Sequence, residues 1–148
     1  MRRALPLRFL VLVPVAAVAA ASAFAATAVA SPASPNGLPA KLVGCWRRPV
    51  NEPGLDKGVW SMWIKKDGTL VLYYPGTTCA STGPNAAPDF ISTVAAAGQQ
   101  LTIGTLPVCQ STANYSWKLT GAHLTLRAVT DKGCVARREL FIGTWTRK

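Results

Sequence analysis

The sequence predicts an all-β protein: an eight-stranded antiparallel up-and-down β-barrel with two disulfides, preceded by a signal peptide. Three observations predict it. Apolar and polar residues alternate after the leader instead of recurring at helical spacing. Gly, Pro and Asp-Gly interrupt this alternation every eight to twelve residues or so, as in sandwiches and barrels. All 4 cysteines follow the leader, which is typical of an exported domain stapled by disulfides.

The first thirty residues have the composition of a secretory signal peptide. Arginines precede a long apolar run, and a small-residue site ends at Ala30. We expect cleavage near Ala30 and a secreted, extracellular protein that does not touch a membrane afterwards. The alternative is that residues 1–30 are retained as a membrane anchor, for which the apolar run is just long enough.

Residues 31–41 (SPASPNGLPAK) are predicted to be a flexible Pro-rich linker, and residues 42–148 a single barrel domain. Of the 16 basic residues, three lie in the leader. The mature chain therefore keeps 13 basic and 6 acidic residues, a formal charge of +7. Its basic residues are scattered. An anionic surface polymer is therefore a candidate partner, whereas a specific nucleic-acid site is not expected.

The segment Ala113–Cys134 predicts a hairpin that defines its own register. Gly121-Ala122 suits a two-residue turn. Centring the turn there gives one wholly apolar face, on which Leu119 pairs with Leu124, Trp117 with Leu126, and Tyr115 with Ala128. The same register places Cys109 opposite Cys134, at a separation that suits a disulfide. We infer a Cys109–Cys134 bridge, which leaves Cys45–Cys79 by elimination.

Two further hairpins and two terminal segments complete the predicted barrel. The hairpins are Gly58–Tyr74, turning at Asp67-Gly68, and Phe90–Leu106, turning near Gly98. The first and last strands are predicted at Leu42–Val50 and Ala136–Trp145. The long link between the two hairpins is expected to be a surface loop tethered by Cys79.

A Gly-x-Trp sequence followed by basic residues occurs in both terminal strands. An even number of antiparallel strands closes when the first pairs with the last, which removes both exposed edges. We therefore expect both copies to meet at a seam, with the glycines at a close approach and an arginine stacked on an indole ring. The predicted barrel-closing residues are Gly44, Trp46, Arg138, Trp145 and Arg147, with Arg48 as a further candidate for the stacked guanidinium.

Several short motifs resemble the calycin group, the lipocalin-like and avidin-like secreted barrels. They are the Gly-x-Trp of the first strand (Gly44–Trp46), the run of hairpins, Thr130-Asp131 before the last strand, and a basic residue near its end. The resemblance implies that Trp46 packs against a late arginine, Arg138 or Arg147. The domain departs from lipocalins in being short. No terminal helix is expected, and the strands leave little room for a deep cavity.

The titratable residues do not predict catalysis. The single histidine, His123, falls beside a turn on the polar face, and the six acids are mostly loop residues. With both disulfides formed, no cysteine nucleophile and no ordinary metal cluster remain. We therefore expect no enzyme activity, no catalytic residues, no metal and no cofactor.

Aromatic residues are the remaining candidates for function. The candidate ligand-binding residues are Trp60, Trp63, Tyr73, Tyr115 and Trp117. Trp60 and Trp63 fall on opposite faces of one strand, so one of them should lie outside or at a rim. The sequence favours a monomeric, secreted, non-catalytic binding protein for a small apolar ligand or an anionic cell-surface partner. The alternative is an exported protease inhibitor that acts through its flexible N-terminal segment, as some bacterial barrels with a Gly-x-Trp first strand do.

Overall fold

The computed structural model of the protein describes residues 37–79, 87–131 and 133–148. The predicted signal peptide, its cleavage site and residues 31–36 of the predicted linker lie outside the described residues. In the described part of the linker, Leu38 is buried, and a short 3-10 helix (Ala40–Leu42) leads into the first strand.

The protein is a closed barrel of eight strands in sequential order, with every neighbouring pair antiparallel. The prediction of an eight-stranded up-and-down barrel is confirmed. The strands are β1 (Gly44–Val50), β2 (Gly58–Ile64), β3 (Thr69–Tyr73), β4 (Phe90–Ala97), β5 (Gln100–Ile103), β6 (Ala113–Thr120), β7 (His123–Thr130) and β8 (Gly143–Arg147). One α-helix, α1 (Val135–Phe141), lies between β7 and β8.

The two ends of the barrel differ. At one end, here called the turn end, the strands are joined by the tight connections 65–68, 98–99 and 121–122, and the N-terminal segment enters there. The other, the helix end, carries the long connections, one of which contains α1. Long loops on a rigid barrel are where binding residues usually lie.

The prediction of a last strand over Ala136–Trp145 was wrong. The first half of that segment forms α1, and only Gly143–Arg147 forms β8. Arg137, Leu140 and Phe141 are the buried residues of the helix. Their spacing of three and four residues places them on one face, which packs onto the barrel. No helix in the described ranges is long and apolar enough to cross a membrane.

The β6–β7 register is confirmed from Tyr115 to the turn, with every predicted pair present. The Cys109–Cys134 and Cys45–Cys79 disulfides are also confirmed. The strand argument for Cys109–Cys134 was wrong, however. A register shift occurs between Asn114 and Tyr115, β6 begins only at Ala113, and β7 ends at Thr130. The bridge therefore joins two loops, and ties the β5–β6 connection to the residue before α1.

Large apolar side chains fill the barrel. The most deeply buried include Trp46, Trp60, Trp145, Tyr115, Phe141, Leu42 and Met62. Leu38 and Leu42 join this core from the N-terminal segment, and Leu140 and Phe141 join it from α1. An eight-stranded barrel has an interior that side chains just fill, and this interior is filled in that way.

A loop folds back over the outer face of β1 and β2. Ser61 alternates with the inward-facing Trp60 and Met62, yet it is fully buried, and its hydroxyl donates a hydrogen bond of 3.1 Å to the carbonyl of Thr77. Two residues further on, Cys79 is bonded to Cys45. The disulfide thus holds the β3–β4 connection against the outside of the barrel.

Candidate functional site

A cleft of about 190 Å³ opens at the helix end of the barrel. Its walls come from the β1–β2 loop, the strand ends around the β3–β4 connection, the β5–β6 loop and α1. They comprise Gly54, Leu55, Asp56, Trp60, Tyr74, Phe90, Leu106, Val108, Ala136, Arg137 and Leu140. Most of these side chains are apolar, which is the usual composition of a small-molecule site.

Three aromatic rings form one wall of the cleft. The ring centroids of Trp60 and Tyr74 are 4.8 Å apart, and those of Tyr74 and Phe90 are 5.4 Å apart. Both separations lie in the range at which tilted aromatic pairs attract each other. Tyr74 remains 37% exposed and Val108 71% exposed, so the apolar wall reaches solvent at its rim.

Hydrogen bonds outside the wall set the positions of its rings. The indole Nε1 of Trp60 donates to the backbone carbonyl of Asp56 at 2.8 Å. The amide of Tyr74 donates to a carboxylate oxygen of Asp89 at 2.7 Å, and the amide of Asp89 donates back to the carbonyl of Leu72. The β1–β2 loop and both ends of the β3–β4 connection are therefore joined to the aromatic wall.

A buried ion pair lies beneath the α1 side of the cleft. The guanidinium of Arg137 contacts both carboxylate oxygens of Asp131, with the shortest N–O distance at 2.6 Å, and both side chains are fully buried. Arg137 also donates to the carbonyls of Gly104 and Ser111. These contacts fasten α1 to the β5–β6 loop and to the end of β7.

Tyr115 completes this buried network, because its hydroxyl donates a hydrogen bond to a carboxylate oxygen of Asp131. Burial, followed by the hydrogen bond and the negative charge of Asp131, raises the pKa of Tyr115 above its ordinary value. The phenol therefore stays neutral throughout the physiological range. Since Tyr115, Asp131 and Arg137 form their hydrogen bonds with one another and with nearby carbonyls, we interpret the network as structural support for the cleft.

The seam between β1 and β8 is built from two copies of the pattern Gly-x-Trp-x-Arg, at residues 44–48 and 143–147. The indole Nε1 of Trp46 donates to the carbonyl four residues earlier, that of Leu42, at 2.9 Å. Trp145 does the same with Phe141 at 3.1 Å. Both tryptophans are fully buried, so the two strands begin with the same local structure.

Each arginine of the pattern crosses to the segment that precedes the other strand. Arg48 donates to the carbonyls of Glu139 and Leu140 near the end of α1, at 2.8 and 2.6 Å. Arg147 donates to the carbonyls of Lys41 and Val43 at the end of the 3-10 helix. The guanidinium carbon of Arg147 also lies 4.5 Å from the ring centroid of Trp46. The two copies thus close the barrel by reciprocal contacts.

The other predicted barrel-closing residues lie as follows. Gly44 and Gly143 have positive φ angles of 143° and 120°, and an arginine passes close to each. Arg138 lies on α1 and is paired with its neighbour Glu139 at the surface. The late arginine that packs on Trp46 is therefore Arg147.

The predicted ligand-binding residues do not form one site. Trp60, Tyr115 and Trp117 are buried on the inner face of the barrel. Trp63 and Tyr73 alternate with inward-facing residues and so lie on the outer face, where the ammonium of Lys65 is 5.1 Å from the ring centroid of Trp63. Only Trp60 lines the helix-end cleft.

Sequence reasoning missed most of the cleft. Tyr74 directly follows β3 and Phe90 begins β4, so their meeting depends on the pairing of those two strands. Leu106 enters from the β5–β6 loop and Ala136 from the start of α1, and the Cys109–Cys134 bridge holds these two segments together. The one available signal was that bridge, which joins the β5–β6 loop that carries Val108 to the residue before α1, and α1 carries Ala136.

The cleft can recognise a ligand mainly through apolar contacts, because its charged side chains are not free to face a ligand inside it. Its two charged residues are Asp56, whose side chain is exposed, and Arg137, whose guanidinium already contacts Asp131. In the described part of the chain, no three His, Cys, Asp or Glu side chains come together as metal ligands.

Comparison of the chain with protein-family models, with curated proteins and with solved structures found no match.

Proposed function

We propose that the protein is a secreted, non-catalytic, calycin-like binding protein that holds a small apolar group in the helix-end cleft. The observation that carries this proposal is the aromatic wall of Trp60, Tyr74 and Phe90. Hydrogen bonds to neighbouring segments hold this wall in place, and yet it reaches solvent at Tyr74. Exposed apolar surface of this kind usually marks a place where something binds. Two disulfides fit the oxidising compartment that secretion implies.

The volume of the cleft limits the ligand. A cavity of about 150 Å³ lined by apolar side chains binds benzene, whereas sites for drug-sized molecules measure about 300–1,000 Å³. At about 190 Å³ the cleft suits one aromatic ring or a short alkyl chain. A long-chain lipid would need the barrel interior, which is already filled by side chains.

The position of the cleft distinguishes this proposal from a lipocalin-style site. In such a barrel, the ligand enters the interior between the strands. Here Leu140 and Phe141 of α1 occupy the helix end, and the cleft lies above them, between α1 and the loops. The ligand would therefore sit on the end of the barrel, beside Trp60.

Filling the cleft tests the proposal. Ala136 is exposed and lines the cleft, so Ala136→Leu should fill it without disturbing the core. The matched control is Ala95→Leu, which makes the same change at an exposed position of β4. Phenol, indole and butyrate would be titrated while tryptophan fluorescence is recorded. We expect at least one to bind the wild type and the Ala95→Leu variant, and Ala136→Leu to weaken that binding at least tenfold. Failure of all three ligands, or equal binding to both variants, would contradict the proposal.

The protease-inhibitor alternative can be separated from this one by a deletion. Its contact residues would lie in the Pro-rich segment, but Leu38 and Leu42 belong to the barrel core. Deletion should therefore stop at residue 36. The inhibitor alternative predicts that removal of residues 31–36 abolishes inhibition of a secreted protease and leaves ligand binding unchanged. The binding proposal predicts that the deletion has no effect on ligand binding in the cleft.

A further inference from the structure

A second concave surface lies at the turn end of the barrel, away from the cleft. One depression, of about 490 Å³, runs between the N-terminal segment and the turn at Gly98, and another, of about 500 Å³, continues over the outer face of β6 and β7. The two share Gln99, Trp117 and Lys118. We call the combined surface the basic groove.

The charged residues that line the basic groove all have the same sign. They are Lys41, Lys118 and Arg127, and no acidic residue is among the lining residues of either depression. Lys118 pairs with Thr125 and Ser116 with Arg127, so the two cations are diagonal neighbours on one sheet face. Diagonal positions are about 7–8 Å apart. Two cations at this spacing can contact neighbouring anionic groups of one linear polymer.

Trp117 gives the groove a second feature that points to a ligand. It is among the lining residues of both depressions, but its side chain belongs to the inner face of the barrel and is 8% exposed, and its indole Nε1 has no hydrogen-bond acceptor among the described residues. Buried N–H groups nearly always have an acceptor, either from the protein or from water. The ammonium of Lys41 lies 5.1 Å from the centroid of the same ring. An anionic ligand beside the N-terminal segment would supply a counter-charge for this amine and draw it from the ring.

The polar residues between the cations favour a sugar chain. Gln99, Ser116, Thr120 and Thr125 carry amide or hydroxyl groups that both donate and accept hydrogen bonds, as sugar hydroxyls require. Single-stranded nucleic acid would instead need exposed aromatic faces on which bases stack, and Trp117 presents almost none. We infer that the basic groove binds an anionic polysaccharide, with Lys118 and Arg127 contacting successive sulfate or carboxylate groups.

Calorimetric titration of the exported protein with a heparin oligosaccharide and with polygalacturonate tests this inference, and the two probes distinguish sulfate from carboxylate. The test variant is K118Q/R127Q, in which both changed side chains are exposed. The matched control is K57Q/R138Q, which removes the same charge from the helix end. We expect a salt-sensitive complex with at least one probe. K118Q/R127Q should weaken it at least tenfold and K57Q/R138Q less than twofold.

The indole N–H resonance of Trp117 provides a readout that net charge alone would not move. It should shift as the ammonium of Lys41 leaves the ring, in proportion to the bound fraction, and Trp117→Phe identifies the resonance by its absence. Three results would overturn the inference: neither polysaccharide binds, both double variants weaken binding equally, or polyphosphate of matched length binds as tightly as the better polysaccharide. The Ala136→Leu change in the helix-end cleft should leave this binding unchanged, so failure of either site can be told from failure of the other.

Discussion

The side chain of Arg48 passes directly over Gly143, so that a Cβ atom at position 143 would lie 2.8 Å from the Nε of Arg48. Arg48 cannot easily move aside because its Nη1 is held by two carbonyls of α1. At its φ of 120°, Gly143 also adopts a backbone conformation that other residues rarely adopt. The first and last strands of the barrel therefore depend on each other's residues.

Gly143→Ala should destabilise the barrel by more than backbone strain alone, which costs about 1–3 kcal/mol. Gly54→Ala is the control, because Gly54 also has a positive φ, of 80°, but no atom lies near its Cβ position. Urea unfolding would measure both. If the two changes cost the same free energy, the crossing of Arg48 over Gly143 contributes nothing to stability.

Arg147→Ala should lower the free energy of unfolding by about 1–3 kcal/mol, since it removes the stacking on Trp46 and the hydrogen bonds to Lys41 and Val43. Arg147→Lys keeps the charge but loses the planar guanidinium, and should recover less than half of the loss. Arg138→Ala should change stability by less than about 1 kcal/mol, because its ion pair with Glu139 is partly exposed. An equal loss for Arg138→Ala and Arg147→Ala would contradict this account of the seam.

Asp131→Asn should destabilise the protein strongly, by about 3–5 kcal/mol, because it leaves the buried charge of Arg137 unpaired. The double change Asp131→Asn, Arg137→Met removes both charges and should cost less than Asp131→Asn alone. Chemical denaturation gives both values. A double variant less stable than the single one would mean that the ion pair does more than neutralise two buried charges.

The raised pKa of Tyr115 predicts a loss of stability in alkali. The folded protein keeps the phenol neutral, whereas in the unfolded chain the phenol ionises near its ordinary pKa of 10.0. The contribution of Tyr115 is therefore fully present below pH 10 and declines as the pH rises above it, by up to about 1.4 kcal/mol per pH unit. Tyr115→Phe should be less stable than the wild type at pH 7, and the difference should narrow above pH 10. A constant difference from pH 7 to pH 11 would contradict this assignment.

The hairpins could be predicted because their determinants are local. Alternation defines which face of β6 and β7 is buried, and Gly121-Ala122 locates the turn. The turn at Asp67-Gly68 is equally local, since the carboxylate of Asp67 accepts the amide of Thr69 at 2.9 Å and this lowers the pKa of Asp67. Closure was also predictable, because both halves of the seam carry the same short pattern.

Helix α1 could not be predicted in the same way. It has 7 residues, so its buried face shows only three positions, and one of them is Arg137. The burial of Arg137 is explained by its partners, which are the carboxylate of Asp131 before the helix and carbonyls of the β5–β6 loop. These contacts cannot be read from the helix sequence alone. The helix-end cleft was missed for the same reason, since its walls meet through strand pairing and a disulfide that joins two loops.

The most direct test of binding in the helix-end cleft is to locate a bound aromatic ring by nuclear Overhauser effects. With phenol or indole bound, the ring protons should show contacts to the methyl groups of Leu55, Leu106 and Leu140, which line the cleft. Contacts to Leu70 or Leu101, which are buried in the barrel core, would place the ligand inside the barrel and contradict the proposed site.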